Sequence, residues 1–172
     1  MDATDLVARF GLEPIPAEGG FCTQYWRSPP GPAQGPVPER PHGTAIVALL
    51  TDEPDGFSQF HRLTVDEIWH FYLGDAAELV LLEAAGTSRH HRLGHDLDGG
   101  DELFVVVPAG TWMAARTTGR WSLFGTTMAP GFTSESYEGA DIDALIRGWP
   151  PEAETIRALT RAGSPRRMPP GG

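Results

Sequence analysis

The residues most able to do chemistry lie in one short segment, Gly56-Phe-Ser-Gln-Phe-His61-Arg-Leu-Thr-Val-Asp-Glu67-Ile-Trp-His70. If both halves are strands, alternation groups His61 with Leu63, and Glu67 with Trp69 and Phe71. A carboxylate beside an imidazole orients its tautomer and raises its pKa toward neutrality, which suits general acid–base catalysis. His61 and Glu67 are therefore the expected catalytic pair. The competing reading is a buried His–Glu hydrogen bond that only fixes the turn between the strands. Arg27 follows Tyr25-Trp26, and its planar fork suits a carboxylate or enolate oxygen; an ordinary salt bridge competes. Tyr25 and Tyr72 are candidate phenol donors. Trp69 is the best of five tryptophans for a pocket wall.

Other chemistries find less support. All thirteen basic residues are arginines, so a Schiff-base lysine is excluded. His90, His91 and His95 fall in a turn-rich stretch and read as solvated. Asp96, Asp98, Asp101 and Glu102 lack the regular spacing of a calcium loop. There is no Gly-x-Ser-x-Gly elbow, phosphate loop or dinucleotide fingerprint, so no nucleotide cofactor is indicated.

These residues need a scaffold, and the punctuation of the chain describes it. With 172 residues, 21 glycines and 16 prolines, the chain suits one domain of many short elements. Strands are predicted at 21–27, 44–51, 57–63, 67–73, 77–83, 89–93 and 103–107. A hairpin pair is predicted at 112–116 and 121–128. Helices are predicted at 5–10, 140–148 and 152–162, with a loop at 28–41. Residues 1–162 form the expected domain and 163–172 a flexible tail. Short strands at regular spacing indicate a barrel or sandwich. A net charge of −10 argues against nucleic acid and anionic membrane as partners. No apolar stretch is long enough to span a bilayer. The start lacks the pattern of a secretory signal, and a single cysteine allows no intrachain disulfide. A cytoplasmic location is the expectation.

Residues 56–74 resemble the first cupin motif, with His61, Glu67 and Gly74 in register. Pro108-Ala-Gly110-Thr-Trp-Met113 resembles the second. More narrowly, the chain is similar to a cupin subfamily of long-unassigned function whose members resemble metal-independent sugar epimerases in fold. The matching blocks are Glu18-Gly19-Gly20 with Arg27-Ser28, Ser58 with His61-Arg62, Asp66 to Phe71, Val107 to Trp112, and Ala129 to Phe132. The resemblance implies an all-β jelly-roll barrel with short terminal helices, and a homodimer. It implies that Glu67 faces the interior and His70 faces away. It also puts Leu63 and Met113 where relatives have metal-binding histidines. A divalent metal would have only His61 and Glu67, too few good ligands, so no cofactor is expected. Met113 would line the pocket opposite Trp69, giving a wall suited to a bulky, mostly apolar ligand.

The expected function is a metal-independent isomerase, cyclase or lyase acting on a small, largely apolar metabolite, in the manner of natural-product biosynthesis. A sugar epimerase-like activity and a non-catalytic binding role are the alternatives.

Overall fold

The structure is a computed structural model that describes residues 1–31 and 39–169. Part of the loop expected at 28–41 lies outside the described residues, as do residues 170–172. Eleven strands and three α-helices are described. The strands are β1 (Glu13–Pro14), β2 (Phe21–Arg27), β3 (Thr44–Thr51), β4 (Ser58–Leu63), β5 (Glu67–Gly74), β6 (Ala77–Leu82), β7 (Ser88–Leu93), β8 (Phe104–Val107), β9 (Trp112–Thr117), β10 (Trp121–Met128) and β11 (Tyr137–Gly139). The helices are α1 (Ala3–Phe10), α2 (Ile142–Gly148) and α3 (Ala153–Ala158). No described helix is long and apolar enough to cross a membrane.

The strands form two antiparallel sheets, ordered β1-β2-β3-β10-β5-β8 and β11-β4-β9-β6-β7. This is the all-β jelly roll that the sequence implies. Its interior is filled from both sheets by Ala48, Leu50, Trp69, Phe71, Leu79, Leu81, Met113 and Phe124. Helix α1 starts with a reciprocal capping box between Asp2 and Asp5 and ends on left-handed Gly11. Its Leu6 packs with Leu49 and Leu123 on the outside of the first sheet. Leu145, Ile156 and Leu159 from the C-terminal helical region cover Phe60, Val80 and Trp112 on the second.

The hairpin expected between β9 and β10 does not form. β9 pairs with β4 and β6, whereas β10 pairs with β3 and β5. The intervening turn has only side-chain ties to its own strands, Ser122 and the Gly119 N–H each donating to the Thr117 hydroxyl, and is fastened to another corner. The Asp75 carboxylate accepts the N–H groups of Arg120 (2.7 Å) and Trp121 (3.4 Å). The Ser122 hydroxyl donates to the Asp75 carbonyl at 2.6 Å. Two crossings between sheets, β5 to β6 and β9 to β10, are thereby clamped together.

The stretch after Gly163, expected to be loose, packs on the barrel through its described part. The Gly139 N–H donates to the Arg166 carbonyl at 2.9 Å, and Met168 is buried in the interior cluster.

A polar clasp holds the C-terminal helical region. His90 on β7 meets Glu78 on β6 through Nδ1 and Glu152 through Nε2, each at 3.0 Å. Arg116 on β9 also donates to Glu78, and Ser88 to Glu152. Burial pulls the His90 pKa down, but the two carboxylates outweigh it and raise the value above 6.5. The clasp is therefore fully formed below the ordinary imidazole range and is lost as pH rises through the raised value. Hydrogen-exchange protection over residues 150–158 is expected to fall across that interval, and His90→Ala is expected to remove the pH dependence. Equal protection factors at pH 6 and pH 8.5 in the parent chain would refute this.

Candidate functional site

A cavity of about 610 Å³ is walled by inward-facing residues of β1, β2, β3, β5 and β10. Ile15, Ile46, Leu63, Met128, Phe132 and Met168 make most of the wall apolar. The polar groups are Glu13, Glu18, Glu67, Cys22, Thr23, Gln24, Thr44 and Thr126, and no arginine or histidine is among the described lining residues.

Glu67 begins β5, where alternation points Glu67, Trp69 and Phe71 inward and Ile68 and His70 outward. It is only 7% exposed. The Trp69 indole N–H donates to its Oε2 at 2.9 Å, and Trp69 stacks on Phe124 with centroids 4.4 Å apart and planes 6° from parallel. Burial pushes the Glu67 carboxyl up to about 7, and the charge of Glu18 adds to the rise. His61 and hydrogen bonds from Thr126 and Trp69 pull the other way. A carboxyl poised there can both donate and accept a proton at neutral pH.

Glu18 reaches the cavity from the turn before β2. Gly19 and Gly20 follow with φ of +94° and +68°, a backbone that favours glycine. A Cβ on Gly19 would also strike the Arg161 guanidinium and the Phe57 carbonyl. The turn is pinned from behind: Arg161 donates to the Glu18 carbonyl at 2.6 Å, and the Tyr137 hydroxyl to that of Ala17 at 3.1 Å. The Gln59 side-chain amide also donates to Ala17. The Glu18 carboxylate accepts from the Ser58 hydroxyl at 2.7 Å.

His61 is buried behind this pair and is not part of the cavity wall. Its Nδ1 lies 2.8 Å from the Gln59 carbonyl, which can only accept, so in the neutral ring the proton sits on Nδ1. That leaves the Nε2 lone pair facing Glu18 Oε2 at 3.9 Å, while the ring stacks on Tyr137. The expected direct pairing of His61 with Glu67 is thus replaced by His61 beside Glu18 and Glu67 beside Trp69. The backbone carbonyl of Gln59 fixes the tautomer, a role expected of a carboxylate.

The remaining candidates divide by depth. Trp69 and Met113 are interior but lie beneath the wall, in the packed core. Tyr25 and Tyr72 are 59% and 41% exposed and point away from the cavity. Each falls where the strand register slips, between Gln24 and Trp26 on β2 and between Phe71 and Leu73 on β5. Tyr72 lies over Gly125, in space that a Cβ would fill. Arg27 is exposed and donates to the Phe132 carbonyl at 3.4 Å. His70 faces outward, as expected, and hydrogen-bonds Thr127 at 3.0 Å. Glu18 is the functional candidate that residue chemistry alone misses; its one signal is the Glu-Gly-Gly block.

The cupin fold commonly carries a metal, and these residues do not fit one. Leu63 and Met113 occupy two of the four ligand positions, and His61 commits Nδ1 to a carbonyl. Among the described residues no three His, Cys, Asp or Glu side chains gather closely enough to hold an ion. Burial, with Glu18 and Glu13 assisting, pushes the Cys22 thiol up to about 12, which disfavours its thiolate form.

Residues 4–140 match the family described as Cupin superfamily (DUF985). A Shewanella oneidensis protein of known crystal structure is 30% identical with a TM-score of 0.83, covering 94% of this chain and 98% of that one. A hypothetical protein from Leishmania major is 25% identical with a TM-score of 0.82, covering 93% and 99%. Over 106 residues the chain is 32% identical to the beta-ketoacyl-acyl-carrier-protein synthase III 2 of Streptomyces coelicolor. That match takes in 56% of this chain and 31% of that protein, so the chain spans less than a third of the curated relative it matches.

Proposed function

The chain belongs to the family described as Cupin superfamily (DUF985), and on that footing we propose that it is a metal-independent isomerase, cyclase or lyase. Its substrate is a small, largely apolar, uncharged metabolite held in the cavity beside Glu18 and Glu67. The observation that carries this reading is the Glu67 carboxyl, buried at the wall of a ligand-sized chamber and raised to about 7.

In the proposed step the Glu67 carboxylate takes a proton from a carbon next to a carbonyl. The C–H bond breaks, an O–H bond forms on Glu67, and the electron pair passes into the carbonyl as an enolate. Isomerisation follows when Glu67, its acidic proton exchanged with solvent, protonates another carbon of the enolate. The electron pair can instead close a ring or expel a leaving group. The Thr44 hydroxyl accepts the Phe132 N–H at 2.9 Å and keeps its own proton to offer an oxygen in the chamber. Ser58 positions Glu18 through its hydroxyl, with His61 buried beside it.

The charge of the wall selects among substrates. Three carboxylates with no cation among the described lining residues disfavour an anion such as a nucleotide-linked sugar. This supports the apolar metabolite over the sugar epimerase alternative.

The test works without identifying the substrate. A panel of uncharged cyclic ketones and their carboxylate analogues is incubated with the protein in D₂O, and deuterium uptake is read by mass spectrometry. Uptake by uncharged members, lost in Glu67→Gln, is expected. If every ketone exchanges at the rate seen with Glu67→Gln, the chamber binds without catalysing.

A further inference from the structure

A second cavity of about 560 Å³ lies next to the first and shares Leu63 as a wall. The two differ in lining. Arg62, Arg166 and Arg167 border the second cavity together with Glu135 and Glu138, whereas Met168 and Pro169 border the first. The C-terminal segment thus passes between them, with successive residues facing opposite chambers.

Its attachment is uneven. Arg166, Arg167 and Pro169 are exposed, and Met168 alone is buried, at 8%. The backbone of the segment touches β11 at Gly139, where a Cβ would come within 3.0 Å of the Pro165 carbonyl and 3.1 Å of the Arg166 Cα. The other ties are two hydrogen bonds to Gly139, its N–H donating to the Arg166 carbonyl at 2.9 Å and Arg166 Nε donating to its carbonyl at 3.4 Å, and ion pairs of Arg166 with Glu138 at 3.8 Å and Asp141 at 3.6 Å, between side chains about half exposed. Pairs of that kind hold weakly. One unbranched, adaptable side chain in the apolar cluster is the main anchor of an otherwise solvent-facing strip.

We propose that residues 164–169 are a removable wall of the inner chamber, and that Met168 is the residue that sets which ligands enter and how far they extend. When the strap lifts, Leu63 is uncovered and the two cavities become one cleft, apolar and acidic within and lined by arginines and glutamates outside. A ligand longer than the inner chamber would then lie across Leu63 with its end among the arginines. The wall gains significance from the reading of the inner chamber as a ligand site and rests on it.

The experiment uses the full chain with Cys22→Ser and Leu63→Cys, so that the single thiol sits under the strap. Labelling by methyl methanethiosulfonate is followed by intact mass. Adding Met168→Ala is expected to speed labelling roughly tenfold or more, the shift in local opening that follows loss of one buried apolar side chain. Met168→Leu, which keeps the apolar bulk, is expected to hold the parent rate. Leu159→Ala, in the separate cluster under the C-terminal helical region, controls for general loosening of the fold. Equal rates in the parent and Met168→Ala would overturn the proposal, as would equal acceleration by Leu159→Ala. Binding of N-phenyl-1-naphthylamine by fluorescence separates the two readings. Faster labelling without probe binding keeps the wall and counts against the ligand chamber. Probe binding with unchanged labelling does the reverse.

Discussion

Glu67→Gln is expected to make the protein more stable above neutral pH while removing its acid–base activity. The carboxyl titrates near 7 in the folded chain against an ordinary value of 4.5. Between those values the folded state holds a proton that the unfolded state has released, so folding stability falls as pH rises through the interval. At about 1.4 kcal/mol per unit, the loss approaches 3 kcal/mol once pH exceeds the folded value. The stability present at pH 4 is thus gone by pH 8.5. An uncharged glutamine carries no such penalty, and its side-chain oxygen still accepts the Trp69 N–H. Urea unfolding should therefore show the variant ahead by roughly 2–3 kcal/mol at pH 8.5 and nearly level at pH 4.5. Deuterium exchange into ketones should drop about 100- to 10,000-fold, the usual contribution of one positioned acid or base. Parallel stability profiles for parent and variant would mean that Glu67 is not held in its neutral form by the fold.

The second large effect falls on Trp69. Trp69→Ala removes a fully buried indole stacked on Phe124 and strips Glu67 of a donor. Truncations of this size cost about 3–5 kcal/mol, enough to unfold a marginal domain at physiological temperature. Trp69→Phe is the more informative change. It keeps an aromatic face on Phe124 and loses only the N–H, for about 1–3 kcal/mol. Because that N–H holds the Glu67 pKa down, its loss should move the ascending limb of the pH–exchange profile to higher pH. An unshifted profile in a folded Trp69→Phe protein would exclude the indole as a tuning group.

The strands are the most legible part of the chain. Runs such as Thr44-Ala-Ile-Val-Ala-Leu-Leu-Thr51 carry β-branched content between turn signals, and every strand from β2 to β10 appears within a residue or two of its predicted range. Pairing is less legible. β9 and β10 have the length and spacing of a hairpin, yet the turn between them is dictated by Asp75, distant in sequence. Within the site, the cupin resemblance faces Glu67 inward, and alternation then turns His70 outward, as the strand is built. Alternation cannot foresee the slips at Tyr25 and Tyr72, because a bulge is fixed by the neighbouring strand. Glu18 is hidden for a similar reason: its position depends on Gln59, Tyr137 and Arg161, none of them local. Met168 reads as tail because Pro, Arg and Gly surround it, and one buried side chain leaves little trace in such a composition.

The sheet order also fixes when the site can exist. β10 lies between β3 and β5 in the six-stranded sheet, although both precede it by a long stretch of chain. During synthesis, Glu67 and the early strands leave the ribosome well before the strand that joins them. A nascent chain ending anywhere short of Met128 carries a half-built sheet with a carboxyl on its inner face and no closed interior to press against it. The unfavourable burial is imposed only when β10 slots in and closes the gap between β3 and β5, so this late pairing event is also the one that arms the chamber. Such late, long-range closure is slow compared with local pairing, and it leaves the edges of β3 and β5 open to other chains in the meantime.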